Sequence, residues 1–292
     1  MSKFLRYIFI LLGISLLMLV VLDALYTYVY THPRHVRNKV IWMKEIPSSE
    51  KFDYAAFGSS RTFYNLDPLQ IEKETGLKGV NMGYPGANTF EIMLMVKMFL
   101  QKFEVKRIFI QVDDQYNKSH YDRTAIIPFM PFIHDDIIYE NIKKVETNAV
   151  YLKYIPFYRY MKYDSKLGFR ELMMTSFNEV NQFEVNYGYA PTMKKNMKES
   201  NSPYKFKLKD VKNKHIVELL RVCKEEQVEV MFYTSPIYNP EGNLELLNTH
   251  LPNYKDFSNS ILAHDMFNDP YHLNTSGTKM FTNLFITTYF EN

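Results

Sequence analysis

The chain has 292 residues, of which 46% are hydrophobic and 23% charged, with a formal net charge of +3. That length carries one large domain or two small ones, and the core they need. The small charge, with no concentrated basic stripe, argues against a nucleic-acid partner. A single cysteine, Cys223, rules out an intramolecular disulfide framework.

The first predicted element is a membrane anchor over residues 1–30. Tyr7 to Leu22 carries no charge, Asp23 interrupts, and apolar residues resume through Tyr30. Extended to Tyr30 the run is long enough for a bilayer, which needs about 20 apolar residues, and its tyrosines fall at the interfacial end. Lys3 and Arg6 precede it, and no small-x-small cleavage site follows, which favours an uncleaved anchor over a removed signal peptide. Lys3 and Arg6 argue for an inside N-terminus, whereas Arg34, Arg37, Lys39 and Lys44 argue the reverse. Large following domains translocate largely regardless of such charge. The expectation is a single-pass protein of the cell membrane with its main domain outside the cytoplasm. Residues 31–50, with Pro33 and Pro47, read as a linker.

Residues 51–292 read as one α/β domain. Lys51 to Phe57 is a buried strand ending at Gly58. A helix over Asp67–Thr75 starts at Asp67-Pro68. Lys78 to Met82 is a second strand, Thr89 to Phe103 an apolar helix, and Lys106 to Val112 a third strand. Residues 115–205 break the rhythm and read as a partly helical insertion that covers the site. Val211 to Gln227 is an amphipathic helix that contains Cys223, read as a small buried apolar side chain. Val228 to Thr234 is a fourth strand, and Gly277 to Tyr289 a final helix. Alternating strands and helices predict a parallel sheet covered on both faces. Sites in such sheets form at the carboxyl ends of the strands. Gly58-Ser59-Ser60, Gly83 to Gly86 and Asp113-Asp114 each follow a strand, so all three belong on one edge.

These segments supply the parts of a serine acyl-transfer site. A serine hydroxyl needs a base, and Ser60 with His272 and Asp269 forms a candidate catalytic set. Asp269-Pro270-Tyr271-His272 presents both partners from one loop or helical turn. The backbone N–H groups of Ser60 and Gly86 are candidate oxyanion donors, with the Asn88 side chain as a third. Arg61, Asp113 and Asp114 stand at the edge of the site. A metal site at Asp113, Asp114, His120 and His134 fits no standard zinc spacing. No metal and no cofactor is expected. Two glycosylation-pattern triplets, at Asn117 and Asn274, are short enough to arise by chance.

On these blocks the chain resembles the SGNH/GDSL hydrolase superfamily. Ser60 matches the nucleophile of its Gly-Asp-Ser block, with Ser59 in place of the Asp. Gly86, in Asn81-Met82-Gly83-Tyr84-Pro85-Gly86, matches the oxyanion glycine, and Asp269 and His272 match the Asp-x-x-His block. The third block departs from the family: Gln111-Val112-Asp113-Asp114 puts Asp113 where an oxyanion-donating Asn is usual. Asp113 is structural, binds a cationic group of the substrate, or marks reduced hydrolysis. The resemblance covers roughly 51–112 and 211–290. It implies a three-layer, flavodoxin-like parallel sheet with a mid-chain insertion. With the anchor, the Gly-Ser-Ser block is also similar to extracytoplasmic members of the teichoic-acid D-alanylation and alginate O-acetylation type. The function so implied is a serine acyltransferase or esterase. It would O-acylate or deacylate a cell-envelope polysaccharide or polyol through an acyl-Ser60 intermediate. Its partners would be the acyl donor, the acceptor and a membrane-bound O-acyltransferase. The alternative is an inactive member of the fold that binds or scaffolds in a cell-envelope modification complex.

Overall fold

The computed structural model describes residues 2–177, 180–181, 183–192, 196–199 and 202–291. The chain divides into two compact units, Met1–Ile41 with Ile126–Asn181, and Trp42–Ala125 with Gln182–Asn292.

The second unit is built on a five-stranded parallel sheet. Its strands are β1 (Tyr54–Phe57), β2 (Gly79–Asn81), β3 (Arg107–Gln111), β4 (Glu229–Thr234) and β5 (Tyr254–Asp256). Their spatial order is β2-β1-β3-β4-β5, so the winding reverses between β1 and β3. Every residue of β1 is buried, as expected of a parallel strand covered on both faces. Tyr54, Ala56, Phe109 and Tyr233 pack against Phe281, Phe285 and Ile286 of the last helix. Phe57 points the other way, its ring 5.4 Å from that of Phe99. The result is three layers, with the sheet in the middle.

The helices of this unit fall close to expectation: Pro68–Thr75, Thr89–Leu100, Lys214–Glu225 and Thr275–Tyr289. Asp67 caps the first of them, accepting from the N–H groups of Leu69 and Gln70. Cys223 is buried, and burial pushes its thiol up to about 12, which leaves it an inert core side chain. β5 was not foreseen. It is three residues long, with Lys255 and Asp256 exposed at the sheet edge, so it lacks the apolar run that marks the other strands.

The first unit contains helix Ser2–Thr31, which is apolar on all sides; none of its most hydropathic window is buried. It is long and apolar enough to cross a membrane. The unit also holds short helices between Asp136 and Phe177 and a parallel pairing of His35–Val36 with Val180–Asn181.

Two boundaries differ from the sequence reading. Residues 31–50, expected as a linker, contain the helix Lys39–Glu45, in which Val40, Ile41, Trp42 and Met43 are buried. Pro33 and Pro47 lie on either side of that helix. The expected insertion over 115–205 is also divided: 126–181 belongs to the first unit, while 115–125 and 182–205 belong with the sheet. Residues 178–179, 182, 193–195 and 200–201 of that stretch lie outside the described residues.

Candidate active site

The site lies at the carboxyl edge of the sheet, beside the point where the winding reverses. β1 runs into Gly58, and Ser59 then caps a short helix, Ser60–Asn65, accepting the Arg61 N–H on its side chain. Gly58 is needed for a close approach: a Cβ there would sit 2.6 Å from the Gln111 Cβ at the end of β3. Gln111 uses the approach, because its Oε1 accepts both the Ser59 N–H, at 3.1 Å, and the Ser59 hydroxyl, at 2.8 Å. Ser60 is therefore the first residue of a helix whose cap is tied to the neighbouring strand.

His272 and Asp269 come from a hairpin. Phe267–Asp269 pairs antiparallel with His272–Leu273, and Pro270-Tyr271 makes the turn between them. The Asp-x-x-His spacing is thus a two-residue hairpin connection, with Asp269 opposite His272. His272 Nδ1 lies 2.8 Å from Asp269 Oδ2, and its Nε2 lies 2.8 Å from Ser60 Oγ. Nδ1–H donates to the carboxylate, which leaves Nε2 to accept from the serine hydroxyl. The other Asp269 oxygen accepts the N–H groups of Tyr271 and His272. Burial by itself raises the Asp269 pKa. The hydrogen bond and charge of His272, with the two backbone N–H groups, outweigh it and hold the carboxyl below the ordinary value.

The short helix also locates the base. Asn65 Oδ1 accepts the Leu273 N–H at 3.0 Å, and its Nδ2 donates to the Tyr271 carbonyl at 3.4 Å. Asn81, at the end of β2, donates to the carbonyls of Thr62 and Leu66, which fixes the same helix from below. The His272 ring lies against Tyr64 and Tyr271, at centroid distances of 5.3 and 4.6 Å. Part of the expected insertion reaches this region, since Thr192 donates to the Leu273 carbonyl and the Ala190 N–H to the Phe63 carbonyl.

Asp113 has a resident partner. It is buried, receives the Gln111 side-chain amide and forms an ion pair with Arg61. Arg61 Nη1 also lies 3.0 Å from Asp114, and its Nη2 donates to the Tyr204 hydroxyl at 3.0 Å. The guanidinium stacks near Tyr271 and Tyr204, at 5.0 and 5.5 Å from their ring centres. These contacts accord with the structural reading of Asp113.

The candidate oxyanion donors differ among themselves. Among the described residues, the Ser60 and Gly86 N–H groups have no acceptor. Gly86 holds φ at 81°, a left-handed conformation that favours glycine. Asn88 serves as the N-cap of helix Thr89–Leu100: its N–H donates to Glu91, and its side-chain amide donates to the His120 carbonyl at 3.3 Å. Among the described residues, no three His, Cys, Asp or Glu side chains converge as a metal ion would require.

Sequence reasoning missed Gln111, Asn65, Tyr204 and Tyr271 as parts of the site. Gln111 ends a recognised strand and Asn65 ends a short helix that was not recognised, and their partners lie 52 and more than 200 residues away. Comparison with protein-family models and with curated proteins returns no match.

Proposed function

We propose that the protein is a membrane-anchored serine acyltransferase or esterase of SGNH type. The observation that carries this is His272, within hydrogen-bond distance of both Ser60 and Asp269. The β2-β1-β3-β4-β5 strand order supports the reading too, because it is the flavodoxin-like winding, with its ligand crevice at the β1/β3 reversal.

In this mechanism His272 Nε2 takes the Ser60 proton as Oγ attacks the acyl carbonyl. The tetrahedral intermediate collapses, the donor's leaving group departs with the proton from His272, and an ester on Ser60 remains. A sugar or polyol hydroxyl, or water, then gives its proton to His272 and attacks the ester, which releases Ser60. Asp269 fixes the tautomer and stabilises the imidazolium. The N–H groups of Ser60 and Gly86 serve the oxyanion, each such donor being worth about 3 kcal/mol. Arg61 pairs with both Asp113 and Asp114, which offsets part of the negative charge that stands in place of the usual Asn. The long apolar helix supports a place at the membrane; an acceptor in the cell envelope and a membrane-bound O-acyltransferase beside it are what the resemblance adds to the reading.

The test is labelling of the full-length protein with a fluorophosphonate, together with ester turnover. Ser60 should be the labelled residue, and Ser60→Ala should abolish both signals. Folded protein that resists labelling at Ser60 would favour the binding or scaffolding role. Turnover undiminished in Ser60→Ala would end the proposal.

A further inference from the structure

The first unit places a segment of its own against the end of the apolar helix. Asp23, the one charge in that run, accepts from the Arg159 guanidinium at 2.9 Å and from the Phe157 N–H at 2.8 Å. Arg159 also donates to Thr27 at 2.7 Å, and the Tyr26 ring meets those of Phe157 and Tyr160 at 4.9 and 5.2 Å. Tyr30 donates to the Gly168 carbonyl. Residues 157–168 are thus held along positions 23–30 of the long helix. The helix Phe169–Phe177 continues the contact, with the Arg34 N–H donating to Thr175 and Arg37 paired with Glu171.

This fixes the depth of the segment. About 20 residues fill the hydrocarbon layer, and counted from Tyr7 they end near Tyr26. Asp23 does not end the span, because Arg159 neutralises it, and Leu25 and Tyr28 beyond it remain exposed. Whatever is bound at positions 23–30 lies at the edge of that layer.

The outward face of the segment suits that depth. On helix Phe169–Phe177, Leu172 is buried, while Phe169, Met173 and Phe177 form an outward stripe at four-residue spacing, with Phe169 65% and Phe177 69% exposed. On helix Ala149–Tyr154, Leu152 is buried, and Tyr151 and Tyr154 point outward. Arg170, with 82% of its side chain exposed, projects beside the apolar stripe and pairs with Glu171 at 2.7 Å. Aromatic rings with a basic side chain beside them suit the headgroup layer.

We infer that this stripe is an interfacial platform, seated in the phospholipid headgroups of the membrane that the N-terminal helix spans. The inference rests on the reading that this helix spans a membrane. The platform would hold the 126–177 segment at a fixed depth beside its helix.

The experiment uses the full chain reconstituted into phosphatidylcholine–phosphatidylglycerol vesicles containing nitroxide-labelled lipid. In a Cys223→Ala background, fluorophores are attached at Tyr154→Cys, Phe169→Cys and Phe177→Cys. Leu16→Cys reports the span, and the same fluorophore on free cysteine added outside the vesicles reports the aqueous phase. The platform positions should be quenched several-fold more than the free conjugate. Quenching there equal to that of the free conjugate, with Leu16 strongly quenched, overturns the platform and leaves the span intact; a face reserved for a protein partner gives this result. Leu16 unquenched overturns the spanning reading, and the platform with it.

Discussion

Asn65 grips the backbone on both sides of His272, accepting from Leu273 and donating to Tyr271. It sits on the short helix that begins at Ser60, so one element carries the candidate nucleophile and locates its base. The separation of Ser60 from His272 is therefore set by six consecutive residues and two hydrogen bonds, although the partners are 212 positions apart.

Asn65→Ala should lower kcat by about 10²-fold, the scale expected when a catalytic group shifts by around an ångström. KM should change little, because Asn65 is buried and its side chain is used by the Leu273 and Tyr271 backbone. Steady-state ester kinetics on protein shown to be folded by circular dichroism checks this. An equal loss in Ser60 labelling rate is expected.

Asp269→Asn should cost about 10³–10⁴-fold in kcat, through the wrong histidine tautomer. Asp269 also makes stability depend on pH. Its folded pKa lies below the ordinary value, so its contribution is present above that ordinary value, near pH 4, and is lost as pH falls through the folded one. Chemical denaturation between neutral and strongly acid pH should show this loss in the parent protein and not in Asp269→Asn.

Arg61→Ala should destabilise the protein by about 3–5 kcal/mol, because it leaves Asp113 charged, buried and without its cation. Adding Asp113→Asn should recover much of that loss. Equilibrium denaturation of the two single variants and the double variant measures the coupling. Additive losses would mean that the ion pair is not what holds the two residues.

Glu91 titrates in the opposite sense. Burial pushes its carboxyl up to about 8, against the N–H groups of Asn88 and Asp122 that favour its charged form. The folded state thus holds the proton more tightly than the unfolded chain. The stabilisation is complete below the ordinary glutamate pKa, near pH 4, and is lost as pH rises through about 8. Melting temperature followed from pH 6 to 9 should fall, and Glu91→Gln should flatten that dependence.

Several parts of this protein are readable along the chain because they obey local rules. Tyr54–Phe57, Arg107–Gln111 and Glu229–Thr234 are short apolar runs that end at turns, and Asp67-Pro68 announces its helix. The long N-terminal helix is evident from hydropathy alone. Ser60, Asp269 and His272 were visible through motif order, and the strand endings placed Ser60, Gly83 to Gly86 and Asp113 on one edge. β5 escaped notice because an edge strand of three mostly polar residues has no periodic signature.

The sequence by itself determined the sheet's main strands, the long apolar N-terminal helix and the residue types of the candidate site, since each depends on patterns within a few residues. Only the tertiary structure decided how Asp113 is compensated, that Gln111 supports the Ser59 cap, and that Asn65 holds the His272 hairpin. Those are contacts between residues distant in the chain, formed where side chains from separate strands and loops meet, and no local pattern encodes them. The same reason hid the fate of Asp23: its charge looks like an interruption until Arg159, 136 residues later, folds back to neutralise it.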